Sequence, residues 1–151
     1  MKVIFLDFDG VLNSERFVRA CRESGVVIAP SRMLLLKHIV DKIGAKIVLT
    51  TSWREHWDRE KTKCDSTGTK INEIFSDFNL EIFDKTPKVP AGREEEIRAW
   101  IKTHPDVQNF VVLDDMFLSA DFLDGHFVKT SNYLDGLDES GANMAIEILN
   151  D

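Results

Sequence analysis

Cysteine is nearly absent, with only Cys21 and Cys64 in 151 residues. Two thiols cannot build a disulfide framework, and neither has a CxxC partner or a histidine at zinc-ligand spacing. They read as reduced thiols of a cytoplasmic protein. Long apolar runs are missing as well. No stretch approaches the ~20 residues that cross a bilayer, and the N-terminus enters a strand pattern rather than a leader peptide, so no membrane partner is expected. Basic charge is scarce: 19 Lys+Arg stand against 26 Asp+Glu, a net charge of −7. Bulk nucleic-acid binding needs a basic face and is not expected from this acidic balance; a local basic patch stays open. The chain has no internal repeat, low-complexity tract or interdomain linker. "STGTK" lacks the spacing of a nucleotide-binding P-loop.

What the chain does have is a hydrophobic content of 43% beside 30% charged residues, the balance of a soluble globular protein. A single domain over 1–151 is large enough to bury its own core. "KVIFLDFDGVLN" opens with a continuous apolar run, Val3 to Leu6, as a strand covered on both faces of a parallel sheet does. "PSRMLLLKHIVDKIG" reads as a helix with Ser31 as cap and Gly44 as its closing residue. "AKIVLTTSWR" reads as a second strand ending in hydroxyls. "GREEEIRAWIKTH" reads as a helix with three glutamates in its first turn, where they complement the helix dipole. "NFVVLDD" is a third strand, "HFVKT" a weaker one, and "DESGANMAIEILN" a closing helix. Strands alternating with helices predict an α/β fold, a three-layer Rossmann-like parallel sheet with at most a minimal cap. Residues 12–30 and 55–90 are the harder segments, each a candidate for a small cap or loop elaboration over the carboxyl edge of the sheet.

Asp7 and Asp9 are two apart, so in extended chain they point the same way and raise each other's pKa unless something positive intervenes. Asp and Gly10 are also ordinary turn residues. A calcium loop is excluded because Leu12 and Val18 stand where that loop needs glycine and glutamate. Three parallel strand ends carry polar groups: Asp7 with Asp9, Thr50 with Thr51 and Ser52, and Asp114 with Asp115. Clustered carboxylates are costly unless paired or metal-bound. Oxygen-only ligands fit a hard cation, and Mg²⁺ typically takes one or two carboxylates plus waters and a phosphate. Hydroxyls at the middle strand end suit phosphate oxygens, and Arg93 could supply the positive charge. Trp53, Arg54, His56 and Trp57 could stack on and clamp a base or sugar, with one of the two tryptophans taken up by the core.

In that order and spacing, "DFDGV", "VLTTS", "GREEEI" and "VVLDD" resemble the four motifs of the haloacid dehalogenase (HAD) superfamily, mostly phosphatases. The resemblance spans residues 7 to 115. It implies Asp7 as nucleophile, Asp9 as general acid/base, Thr50 as the second-motif hydroxyl and Arg93 as the third-motif base, with Lys85 and Lys88 as competitors. Thr51, Ser52, Gly10 and Arg54 would face substrate. Asp7, Asp9 through its backbone carbonyl, Asp115 and Asp114 would form the Mg²⁺ site, Asp115 directly and Asp114 in support. The fuller pattern is similar to small stand-alone domains of this superfamily linked with RNA repair. The function implied is a phosphomonoesterase acting on a phosphorylated small molecule (a nucleotide or sugar phosphate) or a nucleic-acid end. The alternative is a non-catalytic phosphate- or metal-binding interaction module on the same fold.

Overall fold

Val3, Ile4, Phe5 and Leu6 are all 0% exposed, so the opening strand is sealed on both faces. The computed structural model describes residues 1–151. Its sheet has five strands: β1 (Lys2–Leu6), β2 (Lys46–Leu49), β3 (Ile82–Lys85), β4 (Asn109–Asp114) and β5 (Phe127–Lys129). The order is β3-β2-β1-β4-β5, and every pairing is parallel. Five helices join and flank them: α1 (Glu15–Cys21), α2 (Pro30–Ile43), α3 (Ser66–Asp77), α4 (Arg93–Lys102) and α5 (Glu139–Asn150).

Alternation along the strands sorts the core into two layers. Ile4, Leu6, Ile47, Leu49, Val111 and Leu113 pack with Met33 and Ile39 of α2, Phe75 of α3 and Leu149 of α5. Val3, Phe5, Val48 and Val112 face the other way, onto Ile97 and Trp100 of α4. The result is the three-layer α/β architecture that the strand–helix alternation predicts. Chain connections leave β1 toward β2 on one side, while β4 closes against its other side. Such a switch in strand order opens a crevice at the carboxyl ends of the strands. No helix is long and apolar enough to cross a membrane.

The structure differs from the sequence reading in two places, the start of α2 and residues 55–90. Helix α2 starts two residues earlier than a Ser31 cap implies: Ala29 is the N-cap and Pro30 the first helical residue, with no side-chain cap from Ser31. Proline suits that position, since the missing N–H would be unpaired there anyway. Residues 55–90 are not an elaboration over the sheet. They hold α3, capped by the Asp65 carboxylate on the Gly68 N–H, and β3, so they complete the sheet itself. Residues 12–30 hold α1, which buries none of its residues. The adjoining loop is fixed at the carboxyl edge by the Glu15 N–H donating to Asn132 O and the Ala29 N–H donating to Leu12 O.

Candidate active site

β1 ends at Leu6, and the next residue starts the site. The Asp7 N–H donates to Leu113 O on β4, and the Thr50 N–H donates to Leu6 O on β1. The backbone ladder therefore sets Asp7 between Thr50 on one side and Asp114 on the other. Gly10 follows in the left-handed region at φ 80°. A Cβ there would come within 2.4 Å of Asp115 Oδ2, so both the turn and the close carboxylate require glycine. The turn is held from the far side by the Thr130 hydroxyl, which donates to Gly10 O.

Carboxylate oxygens of Asp7, Asp114 and Asp115 lie within 4.8 Å of one another. One cation answers them. Arg93 Nη1 sits 3.0 Å from Asp7 Oδ2 and 2.8 Å from Asp114 Oδ2. Asp114 is fully buried and uses its other oxygen, Oδ1, to accept the Met116 N–H at 2.9 Å. Asp7 Oδ1 accepts the Phe8 N–H at 2.9 Å. Burial pushes the Asp7 carboxyl from 3.8 up to about 7; Arg93 and the Phe8 N–H pull it down, but neighbouring Asp114 and Asp115 push it up again. Asp115, half-buried, is also raised, by burial and then by Asp114. Three acidic groups against one guanidinium leave a surplus of negative charge that a hard divalent ion fits, given an all-oxygen donor set.

Thr50 supplies a second sign of a missing partner. It is 0% exposed, and its Oγ1 is the one buried side-chain polar atom in the protein without a hydrogen-bond partner. A buried, unmade hydrogen bond costs ~1–3 kcal/mol, and this hydroxyl at the end of β2 is free to bond a ligand oxygen.

Asp9 is exposed, and its carboxylate lies apart from the three-carboxylate cluster. Asp9 Oδ1 accepts from Asn13 Nδ2 at 3.1 Å, and Oδ2 accepts from Trp53 Nε1 at 2.9 Å. Neither partner was singled out from sequence for this contact, and Trp53 is forty-four residues away along the chain. Asn13 could have been noticed, four residues after Asp9 at the end of the same motif.

The remaining sequence candidates separate. Lys85 Nζ donates to the carbonyls of Arg54 and Trp57, and Lys88 pairs with Glu55 at the surface, so of the three basic candidates Arg93 alone joins the carboxylates. Thr51 is buried and turns its hydroxyl to the Trp53 N–H as the cap of a short 3₁₀ turn, Ser52–His56. Ser52 is exposed. Arg54 departs from its expected place against substrate. It is 6% exposed, and its guanidinium donates to the carbonyls of Thr50, Thr51 and Thr86 while pairing with Glu96 at 2.9 Å. Arg54 thus braces the ends of β2 and β3 against α4 from inside. Trp57 is in the core, with its indole N–H on Asn72 Oδ1, and His56 pairs with Asp65.

A parallel doubly wound sheet with carboxylates at the ends of β1 and β4 and a hydroxyl at the end of β2 defines a HAD-like α/β protein. The chain belongs to the family described as the HAD domain in Swiss Army Knife RNA repair proteins, whose sequence profile matches residues 3–142. No curated protein and no solved structure gives a significant match.

Proposed function

We propose that this protein is a Mg²⁺-dependent phosphomonoesterase that works through an aspartyl-phosphate on Asp7. The observation that carries the reading is the cluster of Asp7, Asp114 and Asp115 around a single guanidinium. Asp7 and Asp115, with the Asp9 carbonyl, would hold the ion, whose positive charge would offset the meeting of an anionic nucleophile with an anionic ester. Asp7 attacks phosphorus and the ester oxygen leaves, splitting one hard displacement into two. Asp9 protonates the leaving oxygen, then takes a proton from the water that cleaves the acyl-phosphate. Thr50 Oγ1 and Arg93 hold phosphoryl oxygens as their charge redistributes. Asp114 keeps Arg93 aimed at Asp7.

The phosphate at the end of a nucleic-acid strand is the substrate class we favour. The site carries no separate cap domain, and RNA repair is the setting named for the family. Two aromatic side chains are exposed on loops leaving the carboxyl ends of β4 and β5, Phe117 at 80% and Tyr133 at 58%, and bases stack on such rings. Incubation with 3′- and 5′-phosphorylated oligonucleotides, beside phosphorylated nucleosides and sugars, tests this directly. Phosphate release from oligonucleotide ends well above that from the small molecules is expected; release only from small molecules would reject the polymer.

Thr50→Val provides a sharper internal test. Valine keeps the shape and removes the unpaired hydroxyl, so the ligand-free protein should gain about 1 kcal/mol in denaturant unfolding. Hydrolysis should fall on the order of 10²-fold, the scale of one lost oxyanion donor. A variant that is both less stable and fully active would show that Thr50 packs rather than binds.

A further inference from the structure

The carboxylate of Asp9 is exposed yet pinned at both oxygens, and its two pins come from different loops. An exposed aspartate left to itself samples several rotamers, at a cost in entropy whenever one of them is required. Asn13 is a rigid post. It is 2% exposed, its Oδ1 accepts the Gly10 N–H at 2.9 Å, and its Nδ2 also donates to Val27 O at 2.7 Å. Because the Gly10 N–H can only donate, the amide cannot flip, and its NH₂ must face Asp9. Trp53 holds the other oxygen. Its indole N–H is donor only, and its ring packs on the core, so the donor is presented at a fixed height.

We infer that Trp53 is a positioning residue for proton transfer: with Asn13 it fixes the plane of the Asp9 carboxyl group beside the phosphate site. This role rests on the phosphatase reading above. In the first half-reaction an Asp7 oxygen bonds to phosphorus and the phosphorus–oxygen bond to the leaving group breaks, as the Asp9 acid gives that leaving oxygen its proton and becomes a carboxylate. In the second, the carboxylate takes a proton from water as the new oxygen–phosphorus bond forms and the bond to Asp7 breaks. Both transfers use one side chain, so a swing of that side chain penalises both. Each carboxylate oxygen keeps a lone pair free while it accepts one pin, so the proton can be carried without breaking either contact. The Trp53 contact also ties the loop after β1 to the loop after β2, on either side of the proposed phosphate site.

Leaving-group dependence separates positioning from mere packing. An ester of an alcohol needs the proton in the transition state; a dinitrophenyl ester leaves without it. Trp53→Phe keeps most of the ring and removes the N–H. With the alkyl phosphate, kcat/KM, which reports only the half-reaction that expels the leaving group, should fall about 10–100-fold, and that loss in kcat/KM should shrink steadily as the leaving group becomes more acidic. An equal loss on every ester overturns the positioning role and leaves the phosphatase reading standing. A second measurement needs no turnover. In ¹⁵N-labelled protein the Trp53 indole signal, assigned by its absence in Trp53→Phe, should move in Asp9→Leu while those of Trp57 and Trp100 stay in place. An unmoved signal overturns the contact itself. Wild-type protein that hydrolyses neither these esters nor phosphorylated oligonucleotide ends overturns the phosphatase reading, and the role of Trp53 with it.

Discussion

Asp7→Asn should abolish hydrolysis, by on the order of 10⁶-fold, the scale seen when a covalent nucleophile is lost, and should at the same time make the metal-free protein more stable at pH 8. The two effects have one cause. Asp7 is buried among like charges, and its carboxyl is pushed up to about 7 from 3.8. A carboxyl raised on folding holds a proton in the folded chain that the unfolded chain has already released. Its contribution is therefore fully present below pH ~4 and is lost as pH rises through about 7, on the order of 4 kcal/mol across that interval. Asparagine carries no charge to bury, so the gain from Asp7→Asn should be absent at pH 4, grow through neutrality and level off near pH 8. At about 2–4 °C per kcal/mol, thermal melts will resolve it. Mg²⁺ should raise the wild-type melting temperature more at pH 8 than at pH 5.5, because below pH 7 the ion competes with a proton. A variant that melts lower than wild type at pH 8, or retains turnover, would contradict the assignment of Asp7.

Arg93→Met should act in the opposite sense. Its guanidinium is the only cation touching Asp7 and Asp114, and Asp114 has no exposed side-chain surface. Removing one partner of a buried pair leaves an uncompensated charge and costs about 3–5 kcal/mol. A melting temperature about 10 °C lower is expected, together with a rate loss on the order of 10²–10³-fold if Arg93 also holds a phosphoryl oxygen. Arg93→Lys should lose less in both, because a single nitrogen, Nη1, makes both contacts and an ammonium can stand near that point. A methionine variant of unchanged stability would mean that the carboxylates are neutralised by something other than Arg93.

The framework of the fold was legible because its central strands are sealed on both faces, and such strands read as unbroken apolar runs. β3 escaped for the converse reason. It is an edge strand with a register shift, and its "IFDK" carries only one fully apolar pair. Without β3, residues 55–90 looked like an addition to the sheet rather than part of it. The charged residues of the site divided in the same way. Asp7, Asp114 and Arg93 are placed by strand ends and by the first turn of a helix, so their convergence follows from a parallel sheet. Arg54 sits four residues after Thr50, and position alone does not say whether such a side chain points out to a ligand or back into the protein. The structure turns it inward, onto Glu96. The glutamates of α4 were read as complements to the helix dipole, yet two of them reach across to other elements. Glu96 pairs with Arg54, and Glu94 accepts the N–H groups of Ser119 and Ala120, fastening the loop that follows Asp115. The Trp53 contact to Asp9 depends on two loops meeting in space, which no periodicity encodes.

The central claim is that Asp7 carries the phosphoryl group, and trapping that adduct tests it most directly. Protein mixed with a phosphate ester and Mg²⁺, quenched in acid within the first turnovers and reduced with borohydride, should carry homoserine at position 7, located by peptide mass spectrometry. Asp7→Asn treated alike should show no reduced residue. Reduction at any other carboxylate, or turnover with no reducible acyl-phosphate at all, would contradict the account.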